Sequence, residues 1–213
     1  VIYYRGLVLL RLERYDESMT FFEKVLSIDN RHKGAWHSKI QALYNAARYE
    51  DCLEATDQFL ETIEDDSMIL HYKKNSLTRL GRFQDLIEHY SSQIEKDDSD
   101  EALWYDKGIA LIETGCFEDA AVCFGKAIDI DDSDDSFWYQ KGRCLSRLGF
   151  HEEAVSCFDH AIEIFPDEER YWHAKGMTYA SAGQKEEAIA CLDRALKINP
   201  ENSIIRKELA GIS

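Results

Sequence analysis

Two copies of one pattern follow each other over residues 138–200, which read WYQKGRCLSRLGFHEEAVSCFDHAIEIFPDEERYWHAKGMTYASAGQKEEAIACLDRALKINP. In each copy Trp is followed by Lys at the third place and by Gly at the fourth and eleventh places, with two Ala further on. Equivalent residues of the two copies lie 34 positions apart. A fixed period of this length indicates a stack of helical hairpins, each burying its apolar face against its neighbours.

The same period extends over the whole chain. The four tryptophans keep it, and Leu70 and Ile2 occupy the two places where no tryptophan stands; we call these six residues the anchors: Ile2, Trp36, Leu70, Trp104, Trp138 and Trp172. The period predicts six units, at residues 1–32, 33–66, 67–100, 101–134, 135–168 and 169–202. Residues 203–213 are expected to form either a C-terminal capping helix or the start of a seventh unit.

These residues resemble the tetratricopeptide repeat family over the entire chain. The match is best at Trp138-Lys141-Gly142-Leu145-Gly149-Ala154-Phe158-Ala161-Pro166 and at its copy 34 residues later. The resemblance implies an all-α fold, a right-handed α-solenoid or superhelix of antiparallel helix pairs with a concave groove. First helices are expected near 34–46, 68–80, 102–114, 136–148 and 170–182, and second helices near 16–28, 50–63, 84–95, 118–130, 152–163 and 186–197.

Local signals in the fourth unit agree with a helical hairpin. Gly115 follows the first helix, where glycine tolerates the left-handed conformation that ends a helix. Glu118 and Asp119 open the second helix, where acidic side chains complement the helix dipole. Gly108 and Ala120 are small enough to let the two helices approach closely.

The second and third units depart from this pattern. Ile40 and Lys74 replace the close-approach glycine, and Cys52 and Leu86 replace the alanine. Large side chains at these positions are expected to widen or tilt the helix pair. Two interpretations remain open for residues 33–100: a specialised joint or pocket, or drift that neighbouring residues have compensated.

Composition excludes several classes of function. With 25 basic and 41 acidic residues the formal charge is −16, whereas nucleic-acid binding needs a basic face to displace counterions. No apolar run reaches the length of about 20 residues that spans a bilayer. We therefore expect no nucleic-acid and no membrane partner, and a cytoplasmic location. The start at Val1 and the short C-terminal helix suggest a segment of a longer array or a trimmed chain.

No catalytic or metal-binding motif is present in the sequence. The six cysteines form no C-x-x-C pair, and small buried thiols in a reducing compartment are their expected state. The acidic run Asp129–Asp135 does not fit a calcium loop, which needs Gly at its sixth place and Glu at its twelfth. Counted from Asp129, those places hold Asp134 and Gln140. The seven histidines form no zinc or nucleophile motif. We therefore predict a non-enzyme with no cofactor and no metal.

The resemblance places a ligand groove on the first helices. The residue after each anchor is always aromatic or histidine, and the stripe around it carries several arginines. Such residues favour recognition because they provide contact area and directed hydrogen bonds. The predicted peptide-binding residues are Tyr3, His37, Tyr44, His71, Asn75, Arg79, Tyr105, Tyr139, Arg143, Arg147 and His173. The family's carboxylate clamp is not supported, since His71 and Asn75 match its pattern only in part.

The function predicted from these observations is a protein-interaction scaffold that binds a partner's peptide segment in the groove. Because the stripe carries more Arg than Glu, an acidic peptide is the expected ligand. Two alternatives remain: an array that self-associates through its end faces into homo-oligomers, and an accessory region of a larger enzyme whose catalytic domain lies outside this chain.

Overall fold

The computed structural model describes residues 1–63 and 66–212, and over these residues the chain is helical without any β-strand. It divides into two compact units, each larger than one 34-residue repeat: Val1–Leu86 is called the first unit from here on, and Ile87–Ser213 the second. The first unit holds α1 (Ile2–Arg11), α2 (Tyr15–Leu26), α3 (Lys33–Asn45), α4 (Tyr49–Thr62), α5 (Ser67–Leu80) and the start of α6 (Phe83–Ile94). The second continues through α7 (Glu101–Glu113), α8 (Phe117–Ile130), α9 (Asp135–Arg147), α10 (His151–Ile164), α11 (Glu169–Ser181), α12 (Lys185–Ile198) and α13 (Ser203–Ile212).

The predicted all-α repeat fold is confirmed. Helices α2 to α12 begin and end within about two residues of the positions that the 34-residue period predicts, which is the usual precision of a helix boundary. The turn inside each hairpin has a left-handed residue eleven places after the anchor. Glycine takes this conformation at Gly81, Gly115, Gly149 and Gly183, while Glu13 and Ala47 take it with φ of 58° and 57°.

Each tryptophan anchor closes the turn that precedes its own helix. Its indole Nε1 donates to the carbonyl six residues earlier, over 2.8 Å from Trp36 to Asn30 and 2.9 Å from Trp172 to Pro166. Trp104 and Trp138 make the same bond over 3.0 Å. Arg206, one period after Trp172, donates to the Pro200 carbonyl in the same way. Helix α13 therefore begins as a further first helix would.

Close approach inside a hairpin depends on the glycine four places after the anchor. A Cβ added at Gly108 would lie 2.7 Å from the Phe124 ring, and one at Gly142 would lie 2.8 Å from the Phe158 ring. Each phenylalanine therefore fills the space that the glycine leaves open.

The α3–α4 hairpin reverses this arrangement. Ile40 stands at the glycine position and Thr56 at the phenylalanine position, and both are fully buried. As expected from its large residue, α3 packs less closely along α4 than the first helices of the glycine-containing hairpins pack along their partners. The large and small residues thus exchange places between the two helices, the pattern expected of compensating repacking.

The acidic turns serve as helix caps. Asp100 and Asp134 accept hydrogen bonds from the backbone of α7 and α9 over 3.0 and 2.8 Å. In the preceding turn Asp131 accepts bonds from the Ser133 hydroxyl and backbone, which hold the pKa of its carboxyl below the usual range. These contacts account for part of the acidic run at residues 129–135.

Candidate functional site

We call the six residues that follow the anchors the ladder: Tyr3, His37, His71, Tyr105, Tyr139 and His173. Five of them are half-buried, and only His71 is exposed. The ladder was predicted to line an open groove. Its half-burial shows that these rings also pack inside the structure, where they join consecutive hairpins.

Tyr3 and His37 show this joining in the first unit. The Tyr3 hydroxyl donates to the Gly34 carbonyl at 3.2 Å, and its ring centroid lies 6.0 Å from that of Phe22. His37 lies 5.7 Å from the Phe59 ring, and its Nε2 is 3.1 Å from a carboxylate oxygen of Asp66. Tyr3 and His37 thus each contact the second helix of their own hairpin and the start of the next hairpin.

Tyr105 and Tyr139 have the same role in the second unit. The Tyr105 ring lies 5.6 Å from Phe124 and 5.3 Å from Phe137. The Tyr139 ring lies 6.0 Å from Phe158 and 5.0 Å from Tyr171. His173 bonds Glu208 of α13 at 2.6 Å instead of an aromatic ring. A ligand could therefore contact the outer edges of these residues but not whole rings.

The predicted residues of α3 and α5 form a polar patch in the first unit. His71 Nε2 lies 2.8 Å from the Asn75 amide nitrogen, one helical turn away. Tyr44 packs between Tyr49 and Tyr72, with centroid distances of 5.4 and 5.3 Å. The exposed Arg79 guanidinium donates a hydrogen bond to the Tyr44 hydroxyl oxygen, which raises the pKa of Arg79. The fixed cation of this patch is thus Arg79.

Arginines gather around aromatic rings in the second unit. The guanidinium carbons of Arg143 and Arg170 lie 5.7 and 5.2 Å from the centroid of Tyr139, within the range of cation–π attraction. Arg147 lies over Phe117 at 5.8 Å. All three arginines are exposed. We call Arg143, Arg147 and Arg170 the arginine cluster; its cations are pre-positioned by rings and remain open to solvent.

Acidic residues beside the ladder were not anticipated from the sequence. Asp66 faces His37, Glu208 faces His173, and Asp135 accepts a hydrogen bond from the buried Tyr171 hydroxyl. These acids stand at helix starts or on α13. They therefore lie outside the first-helix stripe whose arginines predicted a positive groove. Their only signal in the sequence is a separation of about one period from the partner, as 29 residues for Asp66 and 35 for Glu208. The positive charge of the predicted groove therefore concentrates on the arginines.

The cysteines are unsuited to chemistry at neutral pH, with the exception of an exposed Cys116. Burial raises the pKa of the Cys144 thiol to about 11, and it also raises the pKa of Cys52, Cys123, Cys157 and Cys191. Thiols held protonated are poor nucleophiles and poor metal ligands. Over residues 1–63 and 66–212, no three His, Cys, Asp or Glu side chains come together as a metal site.

None of the described helices is a candidate membrane span. Each of them is too short or too polar to cross a bilayer.

Family models described as tetratricopeptide repeat match the chain at residues 2–32 and 134–201. No curated protein sequence matches it. Solved structures match its fold at low identity. The crystal structure of YrrB, a TPR protein with an unusual peptide-binding site, has 20% identity and a TM-score of 0.71, covering 88% of this chain and 96% of its own.

Two further structures extend this similarity. The C-terminal part of a TPR repeat-containing protein from Cytophaga hutchinsonii is 16% identical with a TM-score of 0.75, covering 99% of this chain and 84% of its own. The first TPR of Spaghetti (RPAP3), bound to the HSP90 peptide SRMEEVD, is 22% identical with a TM-score of 0.52. It covers 55% of this chain and 92% of its own. At these identities the similarity concerns the fold.

Proposed function

The chain belongs to the tetratricopeptide repeat family, and from that premise we propose that it is a non-catalytic scaffold that binds an acidic peptide segment of a partner protein along its first helices. The observation that carries the proposal is the arginine cluster. Its three exposed guanidinium groups lie against aromatic rings, an arrangement that pairs directed hydrogen-bond donors with contact area.

The charge of the whole chain does not oppose an acidic ligand at this place. The formal charge is −16, but at physiological salt charges further away than about 8 Å are largely screened. Guanidinium groups bind carboxylates through two parallel hydrogen bonds. A peptide carboxylate at Arg143 and Arg147 would therefore meet a locally positive surface, whereas Arg170 already lies 3.5 Å from Glu168.

Two similar structures support a peptide as the class of ligand. YrrB is a TPR protein with a peptide-binding site, and the first TPR of Spaghetti (RPAP3) binds a peptide with three acidic residues and one arginine. The half-buried ladder would leave ring edges and hydroxyl groups for such a peptide. His71, Asn75 and Arg79 would form a separate contact region for a peptide bound to the first unit by itself.

The test compares an acidic peptide with a basic one. Fluorescein-labelled SRMEEVD and its counterpart SRMKKVK would be titrated with the protein and followed by fluorescence anisotropy. We expect the acidic peptide to bind more tightly. The double substitution Arg143→Glu and Arg147→Glu should weaken its binding by about tenfold or more, because it reverses the charge at the contact.

A matched control separates local charge from net charge. Lys185→Glu with Lys197→Glu changes the formal charge by the same amount on α12, away from the cluster residues, and should leave affinity nearly unchanged. Tighter binding of the basic peptide, or equal weakening by both double variants, would overturn the proposal.

A second function, self-association, is favoured by one face of α1. Val8 is 57% exposed, whereas the residues at its position in other first helices, Ala42, Ala110 and Cys144, are buried. Together with Tyr4 and Phe21 it lines an apolar notch of about 590 Å³. An exposed patch of this kind is a common mark of an interface.

Sedimentation velocity over a hundredfold concentration range tests self-association. If the α1 face joins two copies, the sedimentation coefficient rises with concentration, and Val8→Asp abolishes the rise. Val122→Asp, which places the same charge at an exposed apolar site on α8, is the control. A coefficient that stays constant in the wild type would exclude this second function.

A further inference from the structure

A lysine three places after the anchor links consecutive hairpins at three joints. Lys39 pairs with Glu23 at 3.3 Å, Lys73 pairs with Asp57 at 2.7 Å, and Lys175 pairs with Asp159. In each case the acid lies 16 residues before the lysine, on the second helix of the preceding hairpin. The lysine ammonium nitrogen also lies over the ring of the tryptophan anchor where one is present, as at Lys175 and Trp172.

The joint between α8 and α9 lacks this acid. Gly125 stands 16 residues before Lys141, and a Cβ added at Gly125 would lie 3.6 Å from the Lys141 ammonium nitrogen. The ammonium group is therefore next to the place that a carboxylate fills at the three other joints. Within residues 1–63 and 66–212, Lys141 makes no ion pair. Its Nζ lies 5.9 Å from the centroid of the Trp138 ring.

The joint between α6 and α7 is the informative contrast. Ser91 occupies the acid position before Lys107, and its hydroxyl donates to the Ile87 carbonyl at 2.7 Å. A side chain therefore fills that position. Only at Gly125, among these five joints, is the position left without any side chain.

An apolar notch of about 350 Å³ adjoins Lys141. Val122 of α8 and Phe150, the residue before α10, are 61% and 50% exposed at it, and Leu145 and Leu148 also line it. At the position of Phe150 the first unit has Arg48, which instead binds Asp16 and Asp51. The change from Arg to Phe and from acid to Gly converts a charged surface into an apolar one with a single unpaired cation.

We propose that this notch binds a partner segment in which an aliphatic side chain and an acidic side chain face the same way. The aliphatic group would lie between Val122 and Phe150, and the carboxylate would take the place at Gly125 and pair with Lys141. Glu118 on the rim of the notch would repel a second acid, so the segment should carry one carboxylate. The site uses no residue of the arginine cluster and stands independently of the proposed function.

The probe is the tripeptide leucine-glycine-glutamate, acetylated and amidated at its ends. In an extended peptide, side chains two residues apart lie on the same face. Chemical-shift changes in the ¹H–¹⁵N spectrum of the labelled protein would be followed at millimolar peptide. We expect the amide signals of Gly125 and Phe150 to move in a saturable way, and the glutamine analogue of the tripeptide to bind at least about fivefold more weakly, a ratio in the range for an exposed ion pair.

Three variants decide the outcome. Gly125→Asp supplies the missing carboxylate from within the chain, so it should abolish binding and raise the thermal midpoint by about 2–4 °C. Gly125→Ala adds helix propensity but no charge, and should bind as the wild type does. Lys141→Gln should bind the glutamate and glutamine peptides equally.

Equal binding of the two peptides by the wild type, or unchanged binding by Gly125→Asp, would overturn the proposal. Absence of any saturable shift at Gly125 and Phe150 would do the same. Because SRMEEVD binding to the arginine cluster is measured separately, failure of one site is distinguishable from failure of the other.

Discussion

The α9–α10 hairpin places Gly142 against the ring of Phe158, whereas the α3–α4 hairpin has Ile40 at the glycine position and Thr56 at the phenylalanine position. A second exchange accompanies the first: Phe59 of α4 stands where α10 has Ala161, and both are fully buried. The first exchange puts a large side chain on α3 and a smaller one on α4, whereas the second adds a large side chain on α4 that no other residue of this set offsets. The comparison shows that the repeat keeps its fold when the volume of a contact set changes, and that α3 then packs less closely along α4.

The largest effect is expected from Phe59→Ala, which gives α4 the residue that α10 already has at this position. Because Thr56 and Ile40 have repacked around Phe59, no neighbour fills the space, and the free energy of unfolding should fall by about 3–5 kcal/mol. Urea unfolding followed by fluorescence measures it, since the Trp36 ring lies 6.4 Å from Phe59. A loss below about 1 kcal/mol would show that the position accepts either residue independently of its neighbours.

Moving the α3–α4 arrangement into α9–α10 is the second test. Gly142→Ile should cost about 1–3 kcal/mol or more by overpacking against Phe158, and Phe158→Thr should cost stability by opening a cavity. The double variant should be more stable than the sum of the single losses predicts, by about 1 kcal/mol or more. A double-mutant cycle by urea denaturation measures this coupling, and strictly additive losses would contradict compensation between the two positions.

The turns of the two hairpins provide a smaller test. Ala47 between α3 and α4 has φ of 57°, and Gly149 between α9 and α10 has φ of 85°. Since a left-handed conformation costs a non-glycine residue roughly 1–2 kcal/mol, Ala47→Gly should raise the free energy of unfolding by about 1 kcal/mol. Gly149→Ala should lower it by a similar amount. Both are read from thermal midpoints, and a lower midpoint for Ala47→Gly would be the contrary result.

The smallest effect at ordinary pH concerns Cys144, which stands in α9 where α3 has Ala42. Burial raises the pKa of its thiol to about 11 in the folded state. The folded state therefore favours the protonated thiol. Its contribution to the free energy of unfolding is complete below pH ~9 and is lost as the pH rises toward ~11. At pH ~10 the loss amounts to roughly 1 kcal/mol. Cys144→Ala should remove that part of the alkaline loss.

The measurement is the difference in unfolding free energy between wild type and Cys144→Ala at pH 8 and pH 10. Iodoacetamide at pH 8 should label only the exposed Cys116 among the six cysteines. Rapid labelling of Cys144 in the folded protein, or equal alkaline slopes for both proteins, would contradict the raised pKa.

Much of the helical fold was predictable because its signals are local. The tryptophan period, the glycine after four of the first helices and the acidic pair at the start of most second helices act within one hairpin. These features place the helix ends to within about two residues. The sequence left compensation as one of two interpretations of residues 33–100, but it did not identify Thr56 as the counterpart of Ile40, because that depends on which side chains meet across a hairpin.

The helices that carry the candidate site residues were predictable, but the surroundings of those residues were not. The ladder residues and the arginines lie on the first helices as the pattern indicates. The half-burial of the ladder comes from its own second helices and from the elements that follow, and Asp66 and Glu208 reach His37 and His173 from the start of α5 and from α13. A stripe drawn along one helix does not include residues that a neighbouring helix brings alongside it.

The sequence by itself determined the repeat, its phase and, where glycine stands, the conformation of its turns, because backbone propensity and apolar periodicity act over a few residues. Only the tertiary structure decided which of several equivalent lysines form an ion pair. Lys141 and Lys175 have the same sequence neighbours, Trp three places before and Gly one place after. Stacking of the hairpins brings Asp159 to Lys175 but Gly125 to Lys141. The ion pair therefore depends on a contact across 16 residues, which local sequence does not encode.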